Sequence, residues 1–368
     1  MTLRPGDTVE IEIDSIAAGG DGVGRADGLV VFVPLTAPGD RVIAEIVRSH
    51  SRYAHAEMRE LITAGAGRRQ PACPHFGVCG GCSWLHLSAK TQREARIALV
   101  MDALVRIARV EDPPNPEWIP SPLEIGYRSR ARVSLGHDRI GFHMRRSDEI
   151  VDVSHCLVLD ADTQAELGRL RDELPEAGPV QEREIQGFGE RAHGLQVSEG
   201  SFFQANRSLW AIWQERVVRA CGTGNVLLEI YAGVGFYTQA LVANFERVTA
   251  VERGVSAGDL RRNTSAEVFH GSAEAFADRR LAALKPDVVL LNPPRNGCDA
   301  RVVAAIQSAA PRRIVYVSCN PPTLARDVRA FGDSYHITEI IVIDAMPQTH
   351  HVEAVVVLEQ LTLHRARA

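Results

Sequence analysis

The sequence predicts an α/β protein. Its C-terminal part reads as a doubly wound, mostly parallel Rossmann-like sheet. An OB-type β-barrel and a small α+β domain precede it. Three observations predict this. The 368 residues, 45% hydrophobic and 24% charged, exceed one ordinary core and are too apolar for wholesale disorder. From about residue 196 onward, apolar runs ending in small or polar residues alternate with helical segments, the pattern of an open parallel sheet. Residues 1–62 instead break into short strands joined by turns. The expected boundaries are therefore 1–62, 63–195 and 196–368.

In the first segment Val9, Ile11 and Ile13 alternate with Glu10, Glu12 and Asp14, the period of a half-buried strand. GGDGVGRADG reads as a glycine-rich loop. LVVFVP, RVIAEIVRS and HAEMRELI read as further strands, with APGD as a turn. Such a barrel is either a structural cap or an RNA-binding module. The second segment opens with a cysteine-rich stretch. LHLSAKTQREARIALVMDALVRIARV follows as a helix, with Leu99, Ala103 and Ile107 at helical spacing, and DPPNP ends it. YRSRARVSLGHDRIGFHMRRSDEIVDV reads as strands with hairpin turns. A period of two would put Arg128, Arg130 and Arg132 on one face beside Tyr127. That face is a phosphate-binding candidate, or simply solvated.

The formal net charge is -5. It excludes a uniformly basic nucleic-acid coat but leaves room for a local basic groove. No apolar run is long enough to span a membrane, and the first residues lack a signal-peptide core, so a cytoplasmic protein with no membrane partner is expected. The seven cysteines form an odd set, which argues for metal binding or catalysis rather than a disulfide framework. Cys73, Cys79 and Cys82 form C-x5-C-x2-C, and Cys156 lies far downstream. Four such thiolates can hold zinc or an iron–sulphur cluster, although paired CxxC ribbons are absent. Cys221 and Cys298 match no motif.

Ligands of doubly wound sheets bind at the carboxyl ends of the strands, so the run ends carry the chemistry. LLEIYAGVG ends in Gly233 and Gly235, which let a ligand approach the backbone. The next run ends at Glu252, placed to accept ribose hydroxyls. Without GxGxxG, a single adenosyl ligand fits better than a dinucleotide. LLNPPRNG fixes Asn292 at a stiff proline corner. VYVSCNPPT puts Cys319 at a strand tip, either as a nucleophile or as an inert buried thiol. Glu353 opens the last strand in PQTHHVE and could face the same cleft as a base. One thiol and one carboxylate suffice to methylate a poorly nucleophilic ring carbon such as carbon 5 of uracil. The thiolate adds to carbon 6, and the base later removes the carbon 5 proton.

On CPHFGVCGGC, GSFFQAN, IYAGVG, VYVSCNPPTLARD and PQTHHVE, the chain resembles the RNA uracil-5-methyltransferases that use S-adenosylmethionine, in their iron–sulphur branch with an N-terminal TRAM barrel. The resemblance spans nearly the whole chain. It implies a class I methyltransferase domain at 196–368 and donor contacts from Gln204, Tyr231 and Glu252. It implies Cys319 as nucleophile and Glu353 as proton acceptor, with Asn292 at the donor or the target base. It further implies a structural 4Fe-4S cluster on Cys73, Cys79, Cys82 and Cys156. The implied substrate is structured RNA, 23S-type ribosomal RNA ahead of transfer RNA, and a monomer is expected. Three positions depart from the usual pattern: Asn292 for Asp, Phe236 for Asn, and Ser272 for an acid. They leave two rival readings: an amine-directed nucleic-acid methyltransferase using the NPP corner, and an RNA-binding protein with a degenerate methyltransferase domain.

Overall fold

The computed structural model describes residues 3–136, 138–173 and 179–361. Two compact units divide the chain. The first holds Met1–Leu99, Leu123–Gly187 and Met346–His350; the second holds Val100–Pro122, Phe188–Ala345 and His351–Ala368. The expected barrel and most of the expected central domain thus share one unit.

In the first unit, β1 (Thr8–Ile16), β2 (Gly22–Ala26), β3 (Leu29–Val33), β4 (Arg41–Ser49) and β5 (Tyr53–Thr63) close a barrel in the order β1-β2-β3-β5-β4. Period-two alternation fills it with Ile11, Ile13, Val31, Val33, Val42, Ala44, Ile46, Ala54 and Ala56. The glycine-rich stretch expected as a loop contains β2. Its glycines are needed for close strand approach: a Cβ on Gly24 would lie 2.2 Å from the Glu12 carbonyl oxygen, and one on Gly22 would lie 2.1 Å from Thr36 Oγ1. The buried Asp40 carboxylate accepts from the Ala37 and Gly65 amides and pairs with Arg68 at 2.6 Å. Burial alone would raise its pKa. The Arg68 and amide bonds outweigh that and hold it low.

Helix α1 (Ala89–Arg106) stops before the proline-rich segment, as expected. Its buried stripe is Gln92, Arg96, Val100, Ala103 and Leu104. Ile107, expected on the stripe, lies past the helix end and is 37% exposed. Strand β6 (Glu117–Ile119) belongs to the second unit. β7 (Arg130–Gly136), β8 (Arg139–His143), β9 (Ile150–Asp152) and β10 (Gln181–Gln186) form an antiparallel sheet in the order β10-β7-β8-β9. Helix α2 (Ala161–Asp172) starts where Asp160 accepts from the Thr163 amide at 2.9 Å. Leu167 of α2 packs with Val133, Ile140 and Ile185 of the sheet.

The second unit opens with the two-residue strands β11 (Arg191–Ala192) and β12 (Leu195–Gln196), then α3 (Trp210–Cys221). The chain then alternates: β13 (Gly224–Ile230), α4 (Thr238–Leu241), β14 (Phe245–Glu252), α5 (Ser256–Asn263), β15 (Glu267–His270) and α6 (Ala273–Phe276). α7 (Ala282–Leu284), β16 (Val288–Leu291), α8 (Ala300–Ala309), β17 (Arg313–Ser318) and α9 (Pro321–Phe331) follow, and β18 (Tyr335–Ile343) and β19 (Glu353–Gln360) end the series. Among the described residues the sheet has eight strands in the order β15-β14-β13-β16-β17-β19-β18-β6. β13 to β17 run parallel, and β19 is antiparallel to both neighbours. Val288, Val289, Leu290 and Leu291 are all fully buried, as a central parallel strand requires. The reversal of β19 brings its first residue, Glu353, beside the C-terminal tip of β17: Ser318 pairs with Ala354.

Candidate active site

A cleft opens at the carboxyl ends of β13, β14, β15 and β16. Tyr231, Val251, Glu252, Arg253, Ser272 and Cys298 are among the residues lining it. The backbone after β13 turns sharply there. Tyr231 has φ 65°, a left-handed conformation costly for a tyrosine, and Gly233 (φ 58°) and Gly235 (φ 94°) follow. Glu252 stabilises this turn: its Oε2 accepts from the Gly233 amide at 2.8 Å and its Oε1 from the Arg253 amide at 2.7 Å. Each oxygen keeps a free lone pair for a ligand hydroxyl. Ser272 caps α6 by accepting from the Ala275 amide at 3.2 Å, so a serine replaces the expected acid without loss of local structure.

Gln204 and Asn292 are not among the residues lining this cleft. The Gln204 carbonyl accepts from Trp210 Nε1 at 2.8 Å. The segment before it is held by Asp259, which accepts from Ser198 Oγ and Ser201 Oγ, both at 2.7 Å. Burial opposes ionisation of Asp259, but these bonds prevail and its pKa is lowered. Phe236 does not face the cleft either. It is buried in an aromatic nest, 5.4 Å from the Phe203 ring and 5.7 Å from that of His193. The phenylalanine thus packs the glycine turn onto the GSFFQAN segment. The amide of Asn292 donates to the Ile230 carbonyl at 3.3 Å, which ties the proline corner to the end of β13.

Cys319 follows β17 directly, and α9 begins two residues later with the prolines at its first turn. The half-buried Glu353 lies within its electrostatic reach. Arg295, from the NPPRNG corner, lies within electrostatic reach of Cys319 and favours its thiolate. Its guanidinium also meets His351 Nδ1 at 3.0 Å. Its carbonyl accepts from Asn320 Nδ2 at 2.9 Å and Thr323 Oγ1 at 3.1 Å, which fixes the corner against the start of α9. Burial pushes the Cys319 thiol up to about 11 and the Glu353 charge adds to this, while Arg295 opposes both. Burial likewise raises the Glu353 carboxyl to about 8 against the pull of Arg295. A thiol and a carboxyl, both reluctant to ionise, therefore share one cation.

In the first unit, Cys73, Cys79, Cys82 and Cys156 line a single, mostly apolar cavity with Phe76, Leu85, Phe142 and Val158. Residues far apart in sequence are thus brought together. Burial, reinforced by the neighbouring thiols, pushes Cys82 up to about 12. Arg128 lines the same cavity and favours thiolate. Among the described residues, no group of three or more His, Cys, Asp or Glu is arranged to hold a metal ion.

Residues 180–361 match the family described as tRNA (Uracil-5-)-methyltransferase, and residues 3–58 match the TRAM domain. An uncharacterized RNA methyltransferase from Bdellovibrio bacteriovorus is 30% identical over 95% of this chain and 94% of its own. The chain belongs to the RNA uracil-5-methyltransferase family. Another uncharacterized RNA methyltransferase, from Caldanaerobacter subterraneus subsp. tengcongensis, is 28% identical over 98% of this chain and 99% of its own. The Pyrococcus abyssi tRNA (uracil-54, C5)-methyltransferase, solved with S-adenosyl-L-homocysteine, shares the fold at a TM-score of 0.72 and 24% identity. The match covers 95% of this chain and all 100% of that one. The protein is accordingly an S-adenosylmethionine-dependent RNA methyltransferase carrying a TRAM barrel. No helix among its described residues is long and apolar enough to cross a membrane.

The arginine face expected at residues 128–132 is dispersed in this methyltransferase. β7 begins at Arg130, so Arg128 lies outside it, and its Nε donates to the Arg130 carbonyl at 2.9 Å. Arg130 is 8% exposed and paired with Glu184 of β10. Arg132 is exposed but lies 3.4 Å from Glu182. The two acids sit some fifty residues downstream, out of reach of local spacing arguments. Arg295, beside both Cys319 and Glu353, is a candidate site residue that the sequence alone does not single out. Its one available signal was its place directly after the proline pair, where a cation at a strand-end corner faces the neighbouring strand tip.

Proposed function

We propose that the enzyme methylates carbon 5 of a uridine in structured RNA through a covalent Cys319 intermediate. The observation that carries this reading is that Cys319 follows the end of β17 and Glu353 opens the antiparallel strand β19 beside it, with Arg295 close enough to favour the thiolate. The Cys319 sulphur bonds to carbon 6, and the ring electrons move to carbon 5 as an enolate. When bound in the cleft, S-adenosylmethionine supplies the electrophilic methyl group that carbon 5 then takes. Glu353 accepts the carbon 5 proton, the carbon 5–carbon 6 double bond re-forms, and Cys319 leaves as thiolate. Arg295 stabilises the thiolate at both ends of this sequence. Asn292 suits uracil: its amide can accept from the ring N–H and donate to a ring carbonyl. The target base must leave its stack to reach Cys319.

The test uses RNA containing 5-fluorouridine. Fluorine at carbon 5 cannot be removed as a proton, so the adduct persists and mass spectrometry should place it on Cys319. No adduct with donor and a competent RNA present would refute the nucleophile. Activity retained by Cys319→Ala but lost by Asn292→Ala would indicate amine methylation instead. Comparing methyluridine in ribosomal and transfer RNA from cells with and without the gene assigns the substrate. Ribosomal RNA is the expected class.

The four cysteines would hold a 4Fe-4S cluster of structural role. Four thiols facing one apolar cavity suit it, because a cluster gives each cysteine its own iron and needs no three ligands on one ion. Anaerobically purified protein should contain iron and acid-labile sulphide in equal amounts, and Cys156→Ser should lose both. Zinc without sulphide would overturn the assignment.

A further inference from the structure

The loop between β16 and α8 serves two places at once. At its start, Arg295 lies within electrostatic reach of Cys319 and Glu353. Further on, Asn296, Gly297, Cys298 and Asp299 line the cleft at the carboxyl ends of the parallel strands. The backbone of this loop is gripped by α9, the helix that begins two residues after Cys319. Asn320 Nδ2 and Thr323 Oγ1 hold the Arg295 carbonyl. Arg326 Nη2 donates to the carbonyls of Asn296 at 2.9 Å and Cys298 at 3.2 Å. Asp327 Oδ2 accepts from the Cys298 amide at 2.7 Å. Gly297 has φ 75°, and a Cβ on it would lie 2.5 Å from both Arg326 Nη2 and Asp327 Oδ2. The approach of loop to helix therefore needs a glycine.

Arg326 and Asp327 act as one clamp. Asp327 is 2% exposed, and its Oδ1 pairs with Arg326 at 2.7 Å. Its Oδ2 also accepts from the Tyr316 hydroxyl of β17 at 2.6 Å. Helix stability does not account for this arrangement. Asp327 lies inside α9, where its carboxylate caps no helix end. Burial of the loop does not account for it either. Asn296 is exposed, so water could satisfy its carbonyl. A buried ion pair adds little net stability over apolar packing. What a guanidinium and a carboxylate do supply is direction. Together they bind three backbone groups between Asn296 and Cys298 and allow the loop one register against α9.

We propose that Arg326 and Asp327 are positioning residues that couple the donor cleft to Cys319. A ligand seated against residues 296–299 steadies the loop, and the clamp carries that order to Arg295 and to the start of α9, where Cys319 lies. Arg295 then favours the thiolate most when a methyl donor is in place. The coupling is reciprocal, so the same clamp strengthens donor binding. The inference rests on the cleft being the donor site and does not require the covalent chemistry.

The test alkylates the full-length protein with iodoacetamide and follows the Cys319 peptide by mass spectrometry. S-adenosyl-L-homocysteine is the probe, because it lacks the sulphonium charge that would act on the thiol directly. At saturation it should speed Cys319 alkylation at pH 8 by about fivefold, whereas shielding of the thiol by the ligand would slow it. Asp327→Asn and Arg326→Gln should each weaken calorimetric binding of S-adenosyl-L-homocysteine by about fivefold and abolish the acceleration. The Arg326 side chain is 52% exposed, so Arg326→Gln leaves the core intact and keeps the test decisive should Asp327→Asn fail to fold. A wild-type rate that the ligand leaves unchanged or lowers would overturn the proposal. So would an acceleration that survives in Arg326→Gln. A wild-type protein that binds no S-adenosyl-L-homocysteine would overturn both the coupling and the donor reading. Acceleration in the wild type and its loss in Arg326→Gln, with no fluorouridine adduct, would support the coupling and count against the covalent chemistry alone.

Discussion

At the scale of single residues, the proposed reacting pair is defined by what opposes it. Glu353 is raised to about 8 by burial, so below that pH it holds a proton and cannot accept another. Turnover should therefore rise with pH as Glu353 ionises around 8 and keep rising as the Cys319 thiol ionises towards about 11, and a pH profile of single-turnover rates measures this. Arg295→Gln removes the cation that counters both shifts, and the rising limb should move to higher pH. An unmoved limb would mean that Arg295 only braces the loop. Glu353→Gln should let the Cys319 adduct form and then trap it, with turnover reduced at least 100-fold, as the loss of a positioned base implies. A denaturing gel with labelled RNA would show the trapped complex. A second buried acid makes a different prediction. Glu229 accepts from Thr238 Oγ1 at 2.6 Å, its other oxygen has no partner, and burial raises it to about 8. Its unfolded carboxyl ionises near 4.5. Between these values the unfolded chain releases a proton that the folded chain keeps, so stability falls as pH rises. Glu229→Gln should raise the melting temperature at pH 8, by an amount equivalent to a few kcal/mol, and change it little near pH 5. An equal effect at both pH values would contradict the buried neutral acid.

At the scale of elements, the sequence disclosed those whose period was clean. The apolar runs of β13, β14, β16 and β17 end abruptly in polar or small residues, so both their existence and their reactive tips could be read directly. The strand-end positions of Cys319 and Glu353 were legible for this reason. β2 was not, because its glycines carry no apolar pattern. What selects them is the carbonyl of Glu12 pressed against Gly24, a contact made only after β1 pairs. Gly24→Ala should therefore cost several kcal/mol, a clash with backbone rather than with a mobile side chain. A denaturant melt of the full chain reads it, and a loss under about 0.5 kcal/mol, typical of ordinary surface positions, would show that the strands can separate to make room. The charge balance around the arginines of β7 was hidden for a related reason. Their partners, Glu182 and Glu184, come from a strand that joins the sheet from the far side of α2, so the charge balance is a property of the sheet and not of the segment. The nearness of Arg295 to Cys319 has the same origin. Twenty-odd residues and a helix separate them, and only the parallel pairing of β16 and β17 brings their tips together.

At the scale of the whole molecule, the two units carry different kinds of cohesion, and acid should tell them apart. The barrel end is held through Asp40, and the segment before Gln204 through Asp259. Both carboxylates are kept below their ordinary range by donors that outweigh burial. Their stabilisation is present above the unfolded carboxylate value near 3.8 and is lost as pH falls through the lower folded values. Glu229 and Glu353 run in the opposite sense and weaken the second unit as pH climbs from about 4.5 towards 8. The second unit therefore holds both kinds of acid and the first only the depressed kind, among the residues discussed. Between pH 5 and pH 8 the first unit should keep its stability while the second loses some. Hydrogen exchange on the intact protein, corrected for the intrinsic pH dependence of exchange, can follow both at once. Protection in β13 and β17 should decrease over this range while protection in β1 and β4 stays constant. Replacing Glu229 with glutamine should flatten most of the difference, because it removes the fully buried acid and leaves the active-site carboxyl in place. A uniform change across both units would mean that they unfold as one cooperative body, and the opposing acids would then be averaged over the whole chain.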